Sequence, residues 1–179
     1  MDWYTLIKLL HVLAAILWIG GVFIMLMIAM QALRSRDEAE LVRTVAQMGW
    51  AAERVFVPGS IATTVLGLIV ATLGQMWGDL WVILGLAGVA ITMALGILVL
   101  SPRVKKVAST DAVTPETVAI SRQTVTLVKF DCAALFVVVA DMVLKPQVGD
   151  WTTVTIMGVV IIAAAGLWLT PGLRRVAAA

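Results

Sequence analysis

One histidine occurs in the 179 residues, His11, and it stands eight residues into an apolar run from Trp3 to Leu33. Neutral imidazole binds metals, and its charge changes near neutral pH. A histidine inside a membrane span is costly to place, which makes it a site candidate by default. Trp18 follows seven residues later, two helical turns on, so both side chains share a face with Ala14 and Ala15 as a shallow notch between them. That face suits a flat ligand or a neighbouring helix. Two readings stand together: a cofactor or metal ligand, or a polar anchor that hydrogen-bonds to another helix and does no chemistry.

Other polar and soft residues fall at a comparable depth. Counted at 1.5 Å per residue, His11 lies about 12 Å along its helix from Trp3, and Asp141 about 6 Å back from Lys145. Asp141 precedes Lys145 by four residues, the favourable order for an ion pair within a helix. The sharper alternative has Asp141 accept a proton from one ring nitrogen of His11, leaving the other free for a metal. Met142 and Met157 belong to the same depth, and thioether with imidazole suits copper(I) or a haem iron. Methionines also simply fill gaps between helices. The candidate set is therefore His11, Trp18 and Met142 for a cofactor such as haem b, and His11, Asp141 and Met142 for a metal such as copper. Elsewhere, Lys129 and Asp131 point roughly opposite ways; Arg54 is the expected partner of Asp131, and Lys129 is expected to snorkel to the membrane interface.

These residues must be positioned by membrane helices. With 61% hydrophobic residues, 13% charged and a mean hydropathy of +1.03, the chain is too apolar for a soluble globular domain. The expected fold is all-α, a polytopic bundle of five spans at about 3–33, 55–76, 80–101, 118–144 and 151–170, forming a single transmembrane domain. The first run is expected to remain as a helix rather than be cleaved as a signal peptide. The single cysteine, Cys132, gives neither an internal disulfide nor a thiolate cluster.

Local signals mark the boundaries. Ser35 and Glu38 have capping-box spacing ahead of a short amphipathic helix that presents Leu41, Val45, Met48 and Ala52 on one face. Pro58 falls in the first turn of the second span. Gly59, Thr63, Gly67 and Ala71 form a small stripe on that span, and Gly88, Thr92 and Gly96 form one on the third. The short Trp77-Gly78-Asp79 link makes these spans antiparallel neighbours, so the two stripes are expected to pack on each other. Ser101-Pro102-Arg103 is expected to end the third span, with Lys105, Lys106 and Asp111 in a charged loop. Thr114 then caps a new helix with Pro115 at its first position. Pro171-Gly172 closes the last span.

Two patches carry a family resemblance. Leu10-His11, Trp18 and Gly20-Gly21 resemble the opening helix of small bacterial membrane proteins that include the CopD-type copper-resistance proteins, the HemJ-type protoporphyrinogen oxidases and an uncharacterised family of predicted integral membrane proteins. The run from Ala134 to Val139, continuing into Val143-Leu144-Lys145-Pro146, is similar to the helix that closes those proteins. The resemblance implies a helical bundle, and it implies a haem-ligand role for His11. The uncharacterised family is the nearest likeness.

Charge asymmetry supplies an orientation. Ten of the thirteen Lys and Arg residues belong to the first, third and C-terminal loop segments, among them Arg34, Arg103, Lys105, Arg174 and Arg175. By the positive-inside rule the N-terminus is expected outside and the C-terminus in the cytoplasm, in a bacterial cytoplasmic membrane. Trp3, Trp77, Trp81 and Trp151 would anchor the outer boundary. No phosphate loop, Ser-His-Asp set, His-Glu-x-x-His motif or acidic cation cluster occurs. The basic residues form a rim suited to anionic lipid, not a nucleic-acid groove. Two functions remain: a haem or copper protein serving electron transfer, metal handling or a haem pathway, and a non-catalytic accessory subunit of a membrane complex. With one histidine, a bis-histidine haem requires a symmetric homodimer.

Overall fold

The computed structural model describes residues 2–110 and 112–169, and these contain helices and no strands. Helix α1 spans Trp3–Ser35 and α2 Glu38–Ala51. A π-helical segment, Ala52–Phe56, joins α2 to α3, Val57–Leu73. Helix α4, Leu80–Ala94, likewise runs through a π-helical segment, Leu95–Leu100, into α5, Ser101–Ala108. Helices α6, Pro115–Leu144, and α7, Trp151–Trp168, complete the bundle.

Four helices are long and apolar enough to cross a membrane: Trp3–Ser35, Glu38–Leu73, Leu80–Ala108 and Trp151–Trp168. Helix α6 has the length, at 30 residues, but carries Lys129, Asp131 and Asp141 in its apolar half. Its position explains that composition. α6 packs against α1, α2, α4, α5 and α7, and it buries Ser121, Thr124, Asp131 and Asp141 toward its neighbours. Ser121 and Thr124 donate their hydroxyl protons to backbone carbonyls one turn earlier, at 2.7 and 2.8 Å, which satisfies them inside the helix.

We call the end where α1 begins the upper end. There Asp2 caps α1 by accepting from the Thr5 N–H at 2.7 Å, and this bond holds its carboxyl below the usual carboxylate value. At the lower end α2 and α5 close the bundle beneath α1 and α6. Leu41, Val45 and Met48 of α2 meet Val104 and Val107 of α5, together with Ala29, Ala32 and Val125. The amphipathic face expected of α2 is therefore its packing face. Exposed ion pairs Lys105–Glu53, Lys106–Glu116 and Arg122–Glu38 join the same elements, and each contributes little in water.

Several boundaries differ from expectation. The third span does not stop at Ser101-Pro102-Arg103. The helix continues to Ala108, because the π-helical turn before it opens the spacing that Pro102 needs. Lys105 and Lys106 are thus helical, and Asp111 lies outside the described residues. Asp37, not Ser35, caps α2, accepting from the N–H groups of Ala39 and Glu40. Ser35 instead donates to Glu40. Thr114 caps α6 with Pro115 in its first turn, as expected, and Thr117 completes the capping box. Pro171, Gly172, Arg174 and Arg175 lie outside the described residues.

The largest correction concerns the small-residue stripes. α3 and α4 touch near their connecting turn, through Ala71, Trp81 and Val82, and again where Thr64 meets Met93; the α3 stripe faces α1, and on the other stripe Gly88 faces α6 while a Cβ on Gly96 would meet nothing within 4 Å. A Cβ built on Gly59 would lie 3.2 Å from Trp18 Cβ, and one on Gly67 would lie 2.9 Å from His11 Cε1. On α4, Gly88 receives Val138 and Gly85 receives Met142, both from α6. Small residues allow close approach wherever a bulky face is offered, and the bulky faces belong to α1 and α6.

Candidate functional site

The face shared by His11 and Trp18 exists as the sequence implies, and it is seated on α3. His11 Nδ1 lies 2.8 Å from the Thr63 carbonyl oxygen. A carbonyl can only accept, so Nδ1 carries a proton, and in the neutral ring Nε2 keeps the lone pair. Gly67 makes this geometry available, since the ring occupies the space where a side chain would stand. His11 is half-buried, and Nε2 is not among the enclosed polar atoms that lack a partner.

His11 lines a partly open cavity of about 630 Å³ formed by α1, α3, α4 and α6. α1 contributes the stripe Tyr4, Lys8, His11, Ala15 and Trp18, and α3 contributes Thr63 and Gly67. Trp81 and Gly85 come from α4, and Met142 from α6, with Lys145 following that helix. The walls are otherwise almost wholly aliphatic. Two cations stand toward the upper end: Lys8 Nζ is 4.9 Å from the Tyr4 ring centroid, and Lys145 Nζ is 5.1 Å from that of Trp81.

Of the candidate residues, the structure brings His11, Trp18 and Met142 to this cavity and leaves Asp141 outside it. Asp141 is 1% exposed, packed beside Gly85 of α4, and neither carboxylate oxygen has a hydrogen-bond partner. It pairs with neither expected group. Lys145 turns to Trp81 because the backbone reaches a left-handed conformation at that residue, φ 47°, and this carries the side chain off the helical register. The proton of His11 goes to Thr63, which the bulky α1 face meets first. Arg54 lies over the Trp50 ring, 5.2 Å from its centroid, and leaves Asp131 Oδ1 buried without a partner. Cys132 is buried and free.

Sequence reasoning overlooked Tyr4, Lys8 and Thr63. Tyr4 and Lys8 were legible, since positions 4, 8, 11, 15 and 18 repeat at helical spacing and mark one stripe. The Thr63 carbonyl leaves no trace in a side-chain pattern.

The long apolar helices and their broadly exposed aliphatic faces define an integral membrane protein of helical-bundle type. The chain belongs to the family described as predicted integral membrane protein, DUF2269, whose model matches residues 5–146. That range covers α1 from its third residue through α6, and every residue of the cavity except Tyr4. Neither a curated protein nor a solved structure matches the chain.

Proposed function

We propose that the upper cavity is a haem site in which His11 Nε2 ligates the iron, within a multi-pass protein of the bacterial cytoplasmic membrane. The observation that carries this reading is the hydrogen bond from Nδ1 to the Thr63 carbonyl. It fixes the tautomer whose other nitrogen binds metals and holds the ring in place.

The chain's own residues fit such a group. A cavity of about 630 Å³ is on the scale of a prosthetic group. Aliphatic walls exclude water, and the cations Lys8 and Lys145 suit the carboxylates that haem b carries at one edge. Met142 offers a thioether from the α6 side. Bound haem would supply one-electron chemistry, which accords with electron transfer, metal handling or a role in a haem pathway. The resemblance of the opening helix to haem-binding proteins points the same way. Copper(I) would also accept imidazole and thioether, but the cavity's size favours the larger group. A second iron ligand would be supplied by Met142 or by His11 of a second copy in a homodimer.

In this reading α6 also crosses the membrane, as the fourth of five spans, its polar residues turned inward, and the bundle stands with its upper end outside. The concentration of Lys and Arg at the lower end supports that orientation. A second reading keeps the chain as an accessory subunit. The same His11–Thr63 bond favours it, since the bond also ties α1 to α3.

The deciding experiment is the absorption spectrum and metal content of protein purified from a haem- and copper-replete culture. Wild-type protein should carry haem, and His11→Ala should lose it while still folding as a helical bundle, less stable by about 0.5–1.5 kcal/mol for the lost bond to Thr63. Asp141→Asn should keep full loading, because Asp141 does not orient the ring. Wild-type protein free of haem and copper, or a fully loaded His11→Ala, would leave the accessory-subunit reading standing.

A further inference from the structure

A second cavity of about 470 Å³ lies below the first, between the lower halves of α3 and α4. Trp18 lines both and forms part of the wall between them. Thr64, which lines the upper cavity and donates its hydroxyl proton to the Ser60 carbonyl at 2.8 Å, touches the sulfur of Met93, which lines the lower one, at 3.8 Å.

Two independent features single out this lower cavity. The first is Asp131, which lines it, is only 8% exposed and has a buried Oδ1 without a hydrogen-bond partner. No salt bridge to Asp131 occurs among the described residues. A carboxylate in such surroundings is costly unless a cation or a proton meets it. The second is backbone geometry. Both π-helical segments of the described chain, Ala52–Phe56 and Leu95–Leu100, contribute to this cavity, one from each wall. Such turns interrupt regular helices and recur at functional sites.

The lining defines the ligand's chemistry. Ser60 and Thr92 donate their hydroxyl protons to the Val57 and Val89 carbonyls, so toward the cavity they offer lone pairs. Trp18 and Phe56 present aromatic rings, which attract organic cations. Glu53 and Lys105, at the solvent side, neutralise each other across 3.2 Å. A hard inorganic cation needs about six oxygen ligands, more than this mostly aliphatic wall supplies.

We infer that the lower cavity binds a lipophilic organic cation, with its charge on Asp131 and its apolar body against Trp18 and Phe56. The ligand would reach the site from the bilayer, on the side where the lining residues Ile61 and Ile97 are exposed.

Equilibrium binding of radiolabelled tetraphenylphosphonium to the full-length protein in detergent micelles tests this. Wild-type protein should bind it saturably, with competition by dodecyltrimethylammonium. Asp131→Asn should bind roughly 10- to 100-fold more weakly, the loss expected when a charged partner is removed. Phe56→Leu should weaken binding at least about threefold through loss of the ring, and serves if the aspartate variant fails to fold. Asp141→Asn should bind as the wild type does. Non-saturable binding to wild type, unchanged affinity in both Asp131→Asn and Phe56→Leu, or equal competition by uncharged tetraphenylmethane would overturn the inference.

Discussion

Replacing Gly67 with alanine probes the contact on which the upper site depends. The new Cβ would stand 2.9 Å from His11 Cε1 and 3.2 Å from Nδ1, so the ring must retreat by roughly half an ångström to regain ordinary contact. That movement lengthens the 2.8 Å hydrogen bond to Thr63 to the edge of usefulness. The lost bond costs about 0.5–1.5 kcal/mol, and forcing an extra methyl into a packed contact costs about 1–3 kcal/mol. Alanine's better helix propensity returns about 0.5–1 kcal/mol. The expected net loss is about 0.5–4 kcal/mol, centred near about 2 kcal/mol. Gly158 of α7 provides the control, because a Cβ there meets nothing within 4 Å and only the propensity gain remains. Denaturant unfolding in micelles measures both variants, and nitrogen-15 NMR of the imidazole reports the tautomer. If Gly67→Ala matched wild type in stability and kept His11 protonated at Nδ1 alone, the idea that this glycine seats the ring would fail.

Two further outcomes concern packing and topology. Gly67→Leu and Gly88→Leu should each destabilise the bundle, and their effects should add within about 0.5 kcal/mol because they disturb different helix pairs. Strong coupling in the double variant would mean that the two glycines share one interface after all. Reporter fusions in the 109–114 loop should signal a cytoplasmic location; an external signal would reverse the proposed orientation.

How much the sequence disclosed follows from how local each signal is. The first helix was expected over 3–33 and spans Trp3–Ser35, because a long apolar run ending in charge needs no tertiary information. Thr114-Pro115 marked the start of α6 for the same reason. The common face of His11 and Trp18 followed from helical spacing alone. Partners were less legible. A stripe of small residues announces that something comes close without naming it, and so Gly67 was matched with Gly88 when its neighbour is His11. Asp141 and Asp131 were each assigned the nearest plausible cation, yet side-chain direction depends on the left-handed turn at Lys145 and on the π-helical turn around Arg54. Those turns shift helical phase, and periodicity read along the chain assumes that phase is constant.

The central place of α6 bears on how the protein is made. A charged residue at the middle of a lone helix opposes membrane insertion by about 2.5–3.5 kcal/mol, and α6 brings Lys129, Asp131 and Asp141 together. Residues that suit a packed interior are a burden during synthesis, when the helix first meets lipid. The helices that will shelter it, α1, α2, α4 and α5, all emerge from the ribosome earlier. If α6 spans the membrane as proposed, the order of the elements has a biogenetic logic: α6 would enter a groove already formed by earlier helices, and the apolar α7, which packs on it, would follow at once.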